Sequence, residues 1–175
     1  RYLRRPTFSK KAIVLTVLTL FIILTLSIPF SSITLMFVDR FLIFIVAFSV
    51  FILGIVTTIV KTLLIVLAKR KLSQVKKLLV IGVTGSYGKS STKDLIAKFL
   101  SGKYNVLKTP GSVNTDLGIA LFILRNLTPA HEVFIVEIGA YKIGEIASVS
   151  KMVRPTVGVL TGINEQHLSL FGSIE

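Results

Sequence analysis

The segment from Leu78 to Leu100 leaves this chain few choices. Leu78, Leu79, Val80 and Ile81 form an apolar run of strand length. A turn with Gly85 and Gly88 follows, and then a helical pattern that puts Leu95, Ile96, Phe99 and Leu100 on one face. Strand, glycine turn and helix N-terminus together make an anion site. The glycines let backbone N–H groups converge on oxygens, and the first-turn amides and helix dipole favour negative charge. In Thr84-Gly85-Ser86-Tyr87-Gly88-Lys89-Ser90-Ser91, Lys89 is placed for β- and γ-phosphates and the Ser90 hydroxyl for Mg²⁺. The strict P-loop spacing asks for glycine where this chain has Val83, so the strand-turn-helix context carries the reading. A plain glycine turn capped by serines is the alternative.

Downstream, strand and helix alternate. Strands are expected over 78–83, 105–108, 133–138 and 156–160, and helices over 90–100, 116–125 and 143–152. Short apolar strands with helical crossovers predict a parallel sheet covered on both faces, with ligands at the carboxyl ends of the strands. Three features fall at those ends. Glu137 closes the third strand, where a carboxylate is costly unless paired or metal-bound; an ion pair, a helix cap and a Mg²⁺ ligand all satisfy it. The loop Thr109-Pro110-Gly111-Ser112-Val113-Asn114-Thr115-Asp116 either caps the next helix through Asn114 or Thr115 or sets polar groups by a substrate. His167 follows the fourth strand, next to the other two. His131 has no such context and reads as structural.

The first half of the chain is different. Between Ala12 and Ala68 the only charges are Asp39, Arg40 and Lys61. Residues 1–77 hold 12 Lys or Arg and one acidic residue, against 9 and 7 in residues 78–175. The basic excess therefore flanks apolar runs, and no aromatic residues interleave with it as a base-stacking platform would need. Nucleic acid is thereby excluded in favour of a membrane. Each run exceeds the roughly 20 residues that cross a bilayer. Basic clusters at both ends predict a two-span hairpin, about 12–36 and 41–66, with both ends cytoplasmic. Residues 1–11 form a basic cytoplasmic N-terminus, 69–77 a basic linker, and Lys61 snorkels toward the inner headgroups. This makes a multi-pass protein of a cytoplasmic membrane whose ATP-fed domain faces inward. With no cysteine, disulfides, thiolate zinc sites and cysteine nucleophiles drop out. The sequence starts with Arg and stops at Glu175 in what looks like a loop, which reads as a piece of something longer.

The residues resemble the Mur ligases. Thr84–Ser91, Thr109-Pro110-Gly111-Ser112-Val113-Asn114, Glu137-Ile138-Gly139-Ala140 with Gly144-Glu145-Ile146, Val153-Arg154-Pro155, and His167-Leu168 with Phe171-Gly172-Ser173 stand in that family's order. The branch they look most like is the UDP-N-acetylmuramoyl-tripeptide–D-alanyl-D-alanine ligases of peptidoglycan synthesis. The resemblance covers residues 78–175. It implies a fold: an α/β, parallel-sheet P-loop domain of the Mur ligase central type, incomplete here, preceded by the two-span transmembrane helical hairpin. It also implies ATP and Mg²⁺ and an amide-forming reaction. A substrate carboxylate attacks the γ-phosphate to give an acyl phosphate, and an amine displaces phosphate. Carried over, Lys89 holds the β/γ-phosphates, with Thr84, Gly85, Ser86, Gly88, Ser90 and Ser91 around the nucleotide. Ser90 and Glu137 hold one Mg²⁺ and His167 a second, while Asn114 and Thr115 lie by the substrate. The implied partners are a UDP-linked muropeptide and an amine dipeptide.

Three departures from the family stand out. Thr161-Gly162 replaces the frequent Thr-Asn, the hairpin stands where a UDP-sugar-binding domain is usual, and the chain stops before the carbamylated lysine and the C-terminal domain needed for activity. Two other readings differ in substrate or class: a poly-γ-glutamate synthase-like ligase, and a non-catalytic ATP-binding membrane scaffold. Folylpolyglutamate synthase fits less well, having no use for a membrane hairpin.

Overall fold

Two helices and a sheet domain make up the computed structural model, which describes residues 10–27, 32–111, 113–139 and 143–164. They divide into two units, Arg1–Val60 and Lys61–Glu175. The first holds α1 (Lys10–Ser27) and most of α2 (Ser32–Gln74), which continues into the second unit.

This corrects the expected hairpin. Asp39 and Arg40, expected between two spans, lie inside α2. The physical reason is that a charged pair does not stop a helix, because its side chains point outward and leave the backbone hydrogen bonds intact. Among the described residues one helix, Arg40–Gln74, is long and apolar enough to cross a bilayer, and the apolar part of α1, Ile13–Ile22, is shorter. Hydroxyls along these helices bond to their own helix. Ser49 Oγ donates to Ile45 O at 2.8 Å, Thr58 Oγ1 to Gly54 O at 2.8 Å and Thr19 Oγ1 to Leu15 O at 2.8 Å.

The second unit is the expected α/β domain. Its elements are β1 (Leu79–Thr84), α3 (Lys89–Leu100), β2 (Val106–Lys108), α4 (Asp116–Asn126), β3 (Val133–Glu137), α5 (Glu145–Val153) and β4 (Val157–Leu160). All strand pairs are parallel, in the order β2-β3-β1-β4. The pleat divides the strands between two cores. Val80, Phe134 and Val136 join Ile119, Ile123 and Val149 of α4 and α5. Ile81, Val83, Val133 and Ile135 join Ala97, with Ile96 and Leu100 of α3 packed against them. Glu137 shares the parity of Val133 and Ile135, so it faces α3.

Helix α3 presents a different stripe from the one expected. Leu95 and Phe99 are 56% and 81% exposed. The sheet instead takes Lys93, Ile96, Ala97 and Leu100, an i, i+3, i+4, i+7 set that includes a lysine. Along the sheet edge, Lys108 Nζ meets Asp94 Oδ1 at 2.7 Å and ties α3 to β2. That ammonium holds the Asp94 carboxyl below the usual carboxylate range.

The stretch expected as a linker, 69–77, is structured. Residues 69–74 are the last turns of α2, Leu72 packs against the first core and Val75 is buried in it with Ala68. Lys71 Nζ donates to Leu124 O at 2.7 Å, and Lys61 pairs with Asp116 Oδ2 at 2.7 Å. Charged tips have gone to partners on α4 while their neighbours pack.

Thr115 is the N-cap of α4, its hydroxyl accepting from Gly118 N at 3.3 Å. Replacing it by alanine is expected to cost about 1 kcal/mol. The check is thermal unfolding alongside nucleotide titration: the midpoint falls and the affinity does not.

Candidate functional site

The turn between β1 and α3 has the shape an anion loop requires. Gly85 has φ 139° and Gly88 φ 75°, both in territory that favours glycine. At Gly85 a side chain would also run into Thr161 Oγ1 and the Gly162 backbone, 2.9 Å from its carbonyl oxygen. Gly85→Ala is therefore expected to cost about 1–3 kcal/mol of stability and to weaken nucleotide binding, both measurable by unfolding and calorimetry.

That crowding comes from a clasp between two loops. Ser86 N donates to Gly162 O at 2.8 Å, Thr161 N to Thr84 O at 2.9 Å and Asn164 N to Ser86 Oγ at 3.1 Å. The Thr161 hydroxyl lies 2.6 Å from Tyr87 O and 3.1 Å from Thr84 O. Gly162 lies under the Tyr87 ring: a Cβ there would stand 2.8 Å from Tyr87 Cζ. The unusual Thr161-Gly162 pair thus makes room for a tyrosine in the phosphate loop.

Lys89 points back into this loop, its Nζ 2.6 Å from Gly85 O and 3.5 Å from Ser86 O. Ser90 Oγ donates to Glu137 Oε2 at 2.8 Å. The same oxygen takes Lys93 Nζ at 2.9 Å, and both side chains of that ion pair are almost wholly buried. So the ion pair weighed for Glu137 is present, and its carboxylate also faces Ser90. Register explains why: Glu137 lies level with Val83, one residue before the phosphate loop begins.

A cavity of about 460 Å³ opens above, lined by Gly88, Lys89, Ser90, Ser91, Gly111, Asn114 and Glu137. Asn114 reaches it because Gly139 N donates to its carbonyl at 2.9 Å, bringing the loop after β2 to the end of β3. The structure thus gathers Gly88, Lys89, Ser90, Ser91, Asn114 and Glu137 around one space. Thr84, Gly85 and Ser86 form the loop behind it, Thr115 serves α4, and His167 lies outside the described residues.

Two residues escaped the sequence reading. Lys93 is in phase with Ala97 and Leu100, a cation on an apolar stripe, and that phase was its signal. Thr109 is fully buried and its hydroxyl accepts from Glu137 N at 3.0 Å, which fixes the strand end beneath the carboxylate.

The donor set fits a hard divalent cation bound together with phosphate. Among the described residues no three His, Cys, Asp or Glu side chains cluster, so no all-protein cage exists there. Mg²⁺ needs none: one or two carboxylates, waters and substrate phosphates complete its octahedron. Glu137 and Ser90 would supply the protein's share of such a site, and Lys93 balances the buried carboxylate.

Comparison with known proteins gives the same picture. The Mur ligase middle domain matches residues 83–175. The UDP-N-acetylmuramoyl-tripeptide–D-alanyl-D-alanine ligase of Synechocystis is 42% identical over 94 residues, 54% of this chain and 20% of that protein. The Escherichia coli enzyme of the same name is 39% identical over 95 residues, 54% of this chain and 21% of that one. This chain therefore spans about a fifth of the length of the relatives it matches. Among solved structures, MurF from Acinetobacter baumannii superposes with a TM-score of 0.62 at 36% identity over 65% of this chain and 25% of its own. MurF from Thermotoga maritima in complex with ADP gives 0.61 at 38%, over 65% and 26%.

Proposed function

We propose, from the premise that this chain belongs to the Mur ligase family, that it is the nucleotide-binding part of a MurF-type ATP-dependent amide ligase of peptidoglycan synthesis. The observation that carries the reading is the convergence of Lys89, Ser90 and Glu137 on one polar cavity. The names of the relatives, ADP in one of their structures and the shape of the loop support it.

Bound Mg²⁺·ATP would supply an electrophilic γ-phosphorus. The chain's own residues prepare for it. Lys89 leaves the carbonyls of Gly85 and Ser86 for the phosphate oxygens, and the amides opening α3 add donors along its dipole. Glu137 and Ser90 would hold the cation, and Lys93 keeps the carboxylate in place from behind. Such preorganised charge is where phosphoryl transfer gains most of its rate. A substrate carboxylate oxygen then bonds to the γ-phosphorus as ADP leaves, and an amine displaces phosphate from the acyl carbon and gives up a proton. Asn114, on the cavity wall, would meet the carboxylate substrate, and His167 would hold a second cation. The substrates are a UDP-linked muropeptide and an amine dipeptide.

We place the domain at a membrane through α2. The run Phe41–Val60 carries no charge, and its side chains are mostly exposed to the surroundings. Only 6% of the most apolar window in that helix is buried against the rest of the chain, unlike a core helix. Its hydroxyls satisfy themselves within the helix, as hydrocarbon requires. Twenty residues of helix give about 30 Å, one hydrocarbon core.

The test uses the full-length polypeptide with heavy-oxygen-labelled muropeptide carboxylate. Label arriving in released phosphate supports the acyl-phosphate route. ATP hydrolysis without label transfer overturns it in favour of simple nucleotide turnover.

A further inference from the structure

Thr109 makes a bond that the regular ladder of the sheet does not call for. Strands β2 and β3 are parallel, with Lys108 level with Ile135. Their pairing runs on past the end of β2, where Thr109 N donates to Ile135 O at 3.0 Å. The next donor in such a ladder is Glu137 N, and its regular acceptor is the Thr109 carbonyl. It goes instead to the Thr109 hydroxyl, at 3.0 Å. A side chain has taken the place of the last backbone acceptor. Proline follows at once, and the chain turns away from the sheet with Val113 N donating to Pro110 O at 3.0 Å.

The far end of the same loop comes back to the same segment. Gly139 N donates to Asn114 O at 2.9 Å. Glu137 and Gly139 stand two residues apart at the end of β3, so one short stretch of backbone holds the loop at its first residue and at its last. Gly111 and Asn114, between and at those anchors, line the cavity that Glu137 also lines. Thr109 and Glu137 are both buried, so solvent does not replace their bond when the hydroxyl is lost, and an amide left without an acceptor there is costly. β-Branching also restricts the Thr109 side chain to few rotamers. Ser90 and Lys93 fix the head of the Glu137 carboxylate through Oε2; Thr109 fixes its backbone.

We propose that Thr109 is a positioning residue that joins the two halves of the site. Its hydroxyl locks the backbone of Glu137 to the loop that ends at Asn114, so the carboxylate meant for the cation and the wall meant for the substrate keep a fixed spacing. Thr109 acts through those two residues and touches neither ligand. This rests on the cation role of Glu137 proposed above, and the experiment separates the two.

The test uses the full-length polypeptide with ADP and Mg²⁺ as probes. Calorimetry gives the ADP affinity with and without Mg²⁺. Hydrogen exchange, resolved to single amides by electron-transfer fragmentation, follows Glu137 and Gly139. Thr109→Val keeps the shape of the side chain and removes the acceptor. It is expected to cut the Mg²⁺-dependent strengthening of ADP binding about ten-fold and to speed exchange about ten-fold at both amides. ADP affinity without Mg²⁺ stays within about two-fold of the wild type, because the phosphate loop does not touch Thr109. Thr109→Ser, which restores a hydroxyl, recovers most of both losses. The wild type alone supplies an independent arm: adding Mg²⁺ to the ADP complex slows exchange at Glu137 and Gly139 together. A Thr109→Val protein that melts lower but keeps the full Mg²⁺ dependence overturns the positioning role and leaves Glu137 its cation. Protection by Mg²⁺ at Glu137 without Gly139 overturns the joining of the two halves, whether or not the valine variant folds. A wild type whose ADP binding ignores Mg²⁺ overturns the cation role of Glu137, and this proposal with it.

Discussion

Lys89→Ala is expected to remove nucleotide binding from this domain while leaving its fold intact. The two outcomes separate because Lys89 makes no contact that the core depends on. Its ammonium is 2.6 Å from Gly85 O and 3.5 Å from Ser86 O, both within its own loop. Losing a charge that meets a desolvated phosphate costs about 2–5 kcal/mol, a hundred-fold or more in affinity near the middle of that range. Losing the two carbonyl contacts costs the fold far less, since the loop is held from outside by Thr161, Gly162 and Asn164. Titration calorimetry with ADP and Mg²⁺ reads the first quantity and thermal unfolding the second. Lys89→Arg is not a conservative control, because a planar fork replaces a point charge in a loop shaped around one. A Lys89→Ala domain that bound ADP as tightly as the wild type would remove the phosphate loop from the site.

The second large effect belongs to the buried pair. Breaking the Lys93–Glu137 ion pair by Lys93→Met or Glu137→Leu alone is expected to destabilise the domain by about 3–5 kcal/mol, since either leaves one charge buried without its partner. Making both changes together replaces two charges by two apolar side chains of similar length and recovers most of that loss. Mg²⁺-dependent strengthening of ADP binding is then absent in the double variant, although the protein is folded. Denaturant unfolding of all four proteins gives the coupling energy, and calorimetry with and without Mg²⁺ gives the cation's share. If the double variant still binds ADP more tightly with Mg²⁺ than without, Glu137 is a structural acid and the cation sits elsewhere.

The order of elements was readable because this domain obeys local rules. Short strands of three to six residues, a glycine turn and Thr115 as a cap each announce themselves within a few residues, and every strand and helix expected after Leu78 is present. Glu137 could be assigned to a strand end for the same reason. The misreadings share a cause of another kind. Leu95 and Phe99 are apolar but lie off the stripe that the sheet takes, while Lys93 lies on it. Hydrophobicity alone found Ile96 and Leu100 but missed Lys93, because the end of β3 carries a charge to be answered. Asp39-Arg40 looked like a break and is helix, since charge is not what ends helices. The 69–77 stretch looked like a tether and holds Leu72 and Val75 in a core, a fact that depends on what α4 and α5 offer from far along the chain. The Tyr87–Gly162 fit was visible only as a departure from family habit until both loops stood side by side.

The clasp between those loops has a mechanical consequence. Because Ser86, Tyr87, Thr161 and Asn164 are laced together, the backbone leaving β4 starts from a point bolted to the phosphate loop. Any tightening of that loop around a triphosphate would draw the Thr161–Asn164 backbone with it.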